Sequence, residues 1–260
     1  MITNLMPKIN GLIFDMDGVL WKSNTPLCDL QKLFFRVKQL GYKFLFATNN
    51  ATKSNEDYVT KFKGFGVEID ESQIITSGQA TAFYLKKKYP EGGSVYIIGE
   101  EGLIKTLKEQ GFYLSDTKPK AVVVGLDRQI TYEKLRIATL LVRSGIEFVG
   151  TNPDTTYPTP EGLAPGGGAM VAIIQTASDV TPTIIGKPFP AMLDMAREAL
   201  SLPSDKILVI GDRLDTDILG AQNNGFRSAL VLSGVSTIEE LDAWSPKPDI
   251  VCSNVIEIFK

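Results

Sequence analysis

What most constrains this chain is an alternation kept up along its length: a short, nearly continuous apolar run, an amphipathic stretch of helical period, then another apolar run. The runs Gly11–Asp15, Lys43–Ala47, Val95–Ile98, Ala121–Gly125, Glu147–Gly150, Thr183–Ile185, Lys206–Ile210 and Ser228–Leu232 are the length of strands. They are also too uniformly apolar to have one wet face. Between the first two, Pro26 to Leu40 predicts a helix. Thr25 caps it, Pro26 occupies its first turn, and Gly41 ends it; Leu27, Leu30, Phe34, Val37 and Leu40 make one face. Strands buried on both sides belong to parallel sheets covered by helices, so the chain reads as α/β with a Rossmann-like, doubly wound parallel sheet. Such sheets bind ligands beyond the carboxyl ends of their strands. The residues just after each run are therefore where chemistry is to be sought.

Composition removes several alternatives. The 260 residues include no histidine, which excludes Ser-His-Asp and Cys-His nucleophile systems and histidine-ligated zinc or iron. Acid–base work falls to carboxylate, lysine, tyrosine or thiol. A formal charge of −3 gives no basic patch for nucleic acid or an anionic membrane. Cys28 and Cys252 form no disulfide framework, which fits a reducing compartment. The start, MITNLMPKINGLIFDMDG, lacks the pattern of an export signal, and no apolar run approaches the about 18 residues that span a bilayer. The expectation is a cytoplasmic protein with neither nucleic acid nor membrane as partner.

The length fits one large domain or two moderate ones. Leu33–Asn49 (LFFRVKQLGYKFLFATN) and Ile137–Asn152 (IATLLVRSGIEFVGTN) share the order helix, glycine, apolar strand, Thr-Asn. Either this is common α/β grammar or the middle of the chain is a second α/β module. Pro- and Gly-rich punctuation at Tyr157–Gly168 and Thr181–Pro190 supports a module boundary.

Four strand ends carry candidate chemistry. The first run ends in Asp15-Met16-Asp17-Gly18, two carboxylates aimed into one space. Like charges about 4 Å apart repel by roughly 4 kcal/mol near a protein surface, so this pair needs a cation, a shared proton or solvent. The second run leads into Thr48-Asn49-Asn50, neutral donors suited to phosphate oxygens. Lys187, held between Gly186 and Pro188, offers a point charge for phosphate. The fourth run ends in Gly211-Asp212, with Asp215 and Asp217 close behind. Asp212, nearest the strand tip, suits a hard cation. Asp217 reads as support behind it, orienting Lys187, and Asp215 reads as a surface residue.

The order Asp-x-Asp, Thr-Asn, Lys, Gly-Asp resembles the haloacid dehalogenase-like phosphohydrolases. The long insert between Thr48 and Lys187 looks like the large α/β (C2-type) cap of the subfamily that contains nitrophenyl-phosphatases, NagD-type nucleotidases, phosphoglycolate phosphatase and pyridoxal phosphatase. FDMDGVL at Phe14–Leu20, ATNN at Ala47–Asn50, VYIIGEEGL at Val95–Leu103 and GDRLDTDI at Gly211–Ile218 are similar to that subfamily's phrases. The resemblance implies a catalytic core from residues 1–79 and 183–260 and an inserted cap, residues 80–182, that sets specificity.

It implies a Mg²⁺-dependent phosphatase acting on small phosphate monoesters of the nucleotide, sugar phosphate or phosphoglycolate type, and on p-nitrophenyl phosphate. Asp15 is then the nucleophile that forms an aspartyl-phosphate, and Asp17 the acid and base. Mg²⁺ is held by Asp15, the backbone carbonyl of Asp17 and Asp212, with Asp217 behind them, while Thr48, Asn49, Asn50 and Lys187 meet the phosphoryl group. The cap loops Asp127–Ile130, Asn152–Tyr157 and Leu163–Met170 are candidates for leaving-group contacts. A histidine falls at the position of Tyr157 in the pyridoxal phosphatase relatives, which argues against vitamin B6 phosphate. Relatives with this cap pair through it, so a homodimer is a further implication. A phosphotransferase or mutase of the same superfamily, or a phosphoacceptor or binding protein without turnover, remain as alternatives; release of phosphate into water separates them.

Overall fold

The computed structural model describes residues 9–159 and 161–259. Residues 1–8, on which the reading of the chain's start partly rests, lie outside them, as do residues 160 and 260. Two compact units divide the chain. The first comprises the described residues up to Thr48, Glu56–Ile75 and those from Leu193 onward; the second comprises Asn49–Asn55 and Thr76–Met192.

In the first unit the strands lie in the order Ile250–Cys252, Arg227–Val231, Ile207–Gly211, Gly11–Phe14, Lys43–Thr48, Ile74–Thr76. Gly11–Phe14 pairs in parallel with Ile207–Gly211 on one side and Lys43–Thr48 on the other. The chain therefore winds outward in opposite directions from its first strand, which makes the switch point of a doubly wound sheet. The core beneath is aromatic: Phe14 packs edge-on to Phe34 at 5.5 Å, and Phe34 stacks on Phe44 at 5.3 Å.

The helix read as Pro26 to Leu40 runs instead over Leu30–Gln39. Asp29 is its cap, accepting the Lys32 amide proton at 3.1 Å, a role Asp fills well. Thr25–Pro26 pairs antiparallel with Trp21–Lys22 in a two-stranded hairpin, where the missing donor of a proline costs little. Leu30, Phe34 and Val37 are buried as the periodicity requires.

The second unit has its own all-parallel sheet, ordered Thr183–Ile184, Glu147–Gly150, Ala121–Val124, Gly93–Ile98, Phe112–Leu114. The two sequence echoes fall one in each sheet, on Lys43–Thr48 and Glu147–Gly150. Glu147, at the start of its strand, accepts hydrogen bonds from Tyr84, Lys88 and Tyr89 at 2.7–2.9 Å. Both cysteines are free thiols. Among the described residues no helix is long and apolar enough to cross a membrane.

Candidate active site

Strand register brings the acids together. Phe14 lies level with Ile210 on one side and Phe46 on the other. Asp15, one residue beyond Phe14, thus emerges beside the strand ends that lead to Asp212 and Thr48, and its amide donates to the Ile210 carbonyl at 2.8 Å. Carboxylate oxygens of Asp15, Asp212 and Asp217 all lie within 4.8 Å of one another. Asp15 is 9% exposed; Asp212 and Asp217 are each 1% exposed.

Asp212 is gripped from several sides. Its Oδ2 accepts the Val235 amide proton at 2.7 Å, and its carbonyl accepts that of Ser236 at 3.1 Å. A Cβ at Gly234 would overlap Asp212 Oδ2 and stand 2.6 Å from Asp212 Cβ. On the opposite loop, Gly18 has a left-handed φ of 88°, and its Cβ would stand 2.6 Å from Asp212 Cγ. Ser233 ties the two loops by donating to the Gly18 carbonyl at 2.7 Å. Asp217 accepts the Arg213 amide proton at 3.2 Å. Asp215 turns outward and pairs with Arg213 at 2.8 Å, as expected of a surface residue.

These oxygens fit a hard divalent cation. Octahedral Mg²⁺ at about 2.1 Å from its ligands spaces them about 3 Å apart in cis and about 4.2 Å in trans. The cluster, its oxygens all within 4.8 Å of one another, is of the size such a coordination shell requires. The donor set is all oxygen, with no thiolate or imidazole to favour a softer metal.

Asp17 is half-buried, and its Oδ1 accepts the indole N–H of Trp21 at 3.0 Å. Tyr58 is fully enclosed near it. Burial above all, then the negative charges of Asp17 and Asp15, push its phenol well above the ordinary value; the Thr48 hydroxyl partly offsets this. Tyr58 is thus held protonated. Thr48, at the end of the Lys43–Thr48 strand, is buried in the same unit.

Asn49, Asn50 and Lys187 belong to the second unit. The Asn49 side chain, expected to donate to phosphate, is committed elsewhere. Its Oδ1 accepts the Lys187 amide proton at 2.8 Å, and its Nδ2 donates to the Lys187 carbonyl at 3.0 Å and to Asp154 Oδ1 at 3.1 Å. Its own carbonyl accepts from Ser77 Oγ at 2.6 Å and Asn152 Nδ2 at 2.8 Å. Asn49 thus fixes the backbone on either side of Lys187, a side chain only 2% exposed. Asn50 Oδ1 accepts from the Thr52 amide and hydroxyl in a local turn.

Of the cap loops singled out for leaving-group contacts, Asn152 and Asp154 are engaged in this Asn49 network. Asp127 pairs with Lys134 at 2.7 Å. Arg128 forms a two-pronged pair with Glu100, both contacts 2.6 Å, and interacts with Tyr157.

The sequence reading missed Trp21, Tyr58 and the Ser233–Ser236 loop. The last had a signal: Ser-Gly-Val-Ser follows a strand end next to that of Asp212. Trp21 follows Asp17 by four residues, a spacing with no meaning until the hairpin is known.

Residues 12–113 match the family described as "Haloacid dehalogenase-like hydrolase", and residues 184–258 match one described as "HAD-hyrolase-like". An "Acid sugar phosphatase" of Staphylococcus aureus (strain USA300) is 36% identical over 244 residues, 94% of each chain. Among solved structures, 4-nitrophenylphosphatase from Thermotoga maritima superposes with a TM-score of 0.91 at 33% identity, covering 97% of both chains. NagD from E. coli K-12 gives 0.88 at 32% identity, covering 96% of this chain and 98% of that one.

Proposed function

This chain belongs to the haloacid dehalogenase-like hydrolases and is a phosphatase, and from that premise we propose that it hydrolyses small phosphate monoesters, sugar phosphates among them, through a phosphoryl group carried on Asp15. The observation that carries this reading is the meeting of Asp15, Asp212 and Asp217 at the sheet's switch point, with Asp17 two residues beyond the nucleophile. The name of the staphylococcal relatives supports the substrate class.

In the first step a carboxylate oxygen of Asp15 bonds to phosphorus while the bond from phosphorus to the ester oxygen breaks. Asp17, as the acid, gives its proton to that oxygen, and the alcohol departs. In the second step water attacks the same phosphorus, the Asp17 carboxylate takes a proton from it, and the bond to Asp15 breaks. Inorganic phosphate leaves, with Asp15 again a carboxylate and Asp17 again an acid. Asp15, the Asp17 carbonyl and Asp212 are the residues that would hold Mg²⁺, with Asp217 supporting them; when bound, the ion offsets the repulsion between the carboxylate nucleophile and the phosphate. Thr48 and Lys187 are assigned to the phosphoryl oxygens, and Asn49 to holding the Lys187 backbone.

The test is a phosphate-release screen over small phosphate esters with Mg²⁺, with Asp15→Asn as the blank. Asp15→Asn is expected to abolish turnover, Asp17→Asn to slow it severely, and chelator to remove activity that Mg²⁺ restores. Near-normal turnover by Asp15→Asn, or activity indifferent to chelator, sinks the assignment.

A further inference from the structure

Trp21 is wholly buried, and a buried indole N–H needs an acceptor. The acceptor here is a carboxyl oxygen, Asp17 Oδ1, at 3.0 Å, which can accept the indole proton both in the carboxylate and in the acid whose proton sits on Oδ2. The backbone turns to make this possible. The Leu20 amide donates to the Met16 carbonyl at 2.9 Å, and the Gly18 amide donates to the Trp21 carbonyl at 2.8 Å. The chain thereby doubles back and lays Trp21 beside Asp17.

The indole itself is held firmly. Phe62 meets its ring edge-on at 4.9 Å and Phe65 lies 5.7 Å away. The Lys61 ammonium sits 4.0 Å from the ring centroid and is anchored in turn on the Ser23 carbonyl at 2.7 Å. Lys61 and Phe62 share the Asn55–Gly64 helix with Tyr58. One helix thus braces the indole and also supplies the enclosed phenol near Asp17.

Asp17 leaves the sheet on a loop, and the indole N–H is one of the contacts that set the rotamer of its carboxyl. A proton donor is effective only when its oxygen is within reach of the atom it protonates.

We propose that Trp21 is a positioning residue for Asp17: its indole N–H fixes Oδ1, so that Oδ2 carries the proton given to the departing oxygen. The proposal rests on the reading of Asp17 as the acid. Its consequence depends on the leaving group. An alkyl phosphate expels a poorly stabilised alkoxide and needs the proton; p-nitrophenyl phosphate expels an acidic phenol and needs it little. A defect in proton delivery therefore separates the two esters, whereas general damage to the fold slows both alike.

The experiment compares kcat/KM, which reports the step that expels the leaving group, for glycerol phosphate or a hexose phosphate against p-nitrophenyl phosphate. Trp21→Phe keeps an aromatic ring and removes the donor. It is expected to lower kcat/KM for the alkyl ester about tenfold more than for p-nitrophenyl phosphate, a part of the roughly 10²–10⁴-fold that general acid catalysis supplies. Benzothienylalanine at position 21, which replaces the N–H by sulfur in a ring of the same shape, is expected to do the same should Trp21→Phe fold poorly. Equal losses on both esters, or none, overturn the proposal. Asp17→Asn, run beside it, separates the two levels. If it shows the selective loss and the Trp21 variants do not, positioning by Trp21 fails alone; if it does not, the reading of Asp17 as the acid fails.

Discussion

Gly234→Ala tests whether the loop over Asp212 is part of the site. The new Cβ would overlap Asp212 Oδ2 and stand 2.6 Å from Asp212 Cβ, so either the aspartate or the loop must move. Gly234 does not lie in the left-handed region, so the cost comes from contact alone and not from the backbone. Moving either partner gives up the 2.7 Å bond from the Val235 amide to the carboxylate, a hydrogen bond to a charged group worth about 1.5–3 kcal/mol. Displacement in a closely packed place adds about 1–3 kcal/mol. A loss near 4 kcal/mol, at about 2–4 °C per kcal/mol for a chain of this size, lowers Tm by roughly 8–16 °C. Because Asp212 is one of the three clustered acids, half-saturation by Mg²⁺ should also rise by about 10–100-fold, the usual effect of losing a group that orients a metal ligand. The assay is thermal unfolding with and without Mg²⁺, with a Mg²⁺ titration of p-nitrophenyl phosphate turnover. Gly64→Ala is the control, since its Cβ would meet nothing within 4 Å. An alanine at 234 with the parent Tm and the parent Mg²⁺ dependence refutes the reasoning.

Two further perturbations address the second unit. Asn49→Ala strips the bonds on both sides of Lys187; with buried backbone groups unpaired at about 1–3 kcal/mol each, Tm should fall and kcat/KM drop by about tenfold or more, and unchanged kinetics would show that Lys187 holds its place without it. Glu147 titrates below its ordinary value of 4.5: burial works against ionisation, but the bonds from Lys88, Tyr84 and Tyr89 outweigh it. A carboxyl lowered in the folded state contributes stability that is present above its unfolded value and lost as pH falls through the folded one. The Tm gap between the parent and Glu147→Gln should thus be full at neutral pH and close below about pH 4.5; a gap constant over that range would assign the effect to packing.

The parts of the site legible in the sequence are those whose residue type and place leave little choice. Asp15 and Asp212 sit just beyond apolar runs, parallel strands deliver their ends to one edge, and burying acids together is costly unless a counter-charge gathers them. Type, position and energetics all point one way, and the structure brings these two together with Asp217. The helix start was misread because both Thr25 and Asp29 are plausible caps, and only the Trp21–Lys22 pairing removes Thr25 from the helix. Strands as short as Ile74–Thr76 and Phe112–Leu114 carry too few residues to show a period.

Asn49 marks a different boundary. Its side chain has two protons to donate and an oxygen to accept with, so its type fits a phosphate ligand and a backbone brace equally well. What decides between them is the valence left after folding, and both protons are taken by Lys187 and Asp154. Trp21 is the converse case: an apolar body in the core whose single polar atom happens to reach an acid. A charge that needs a partner announces itself in the sequence. A neutral group becomes functional only through its neighbours, and those neighbours come from distant segments: Lys187 stands 138 residues from Asn49. Residues of this second kind are therefore where substitutions chosen from sequence motifs alone would most often be misinterpreted. An Asn49 variant that loses activity would be read as a lost phosphate contact, although the contacts removed are to the chain itself.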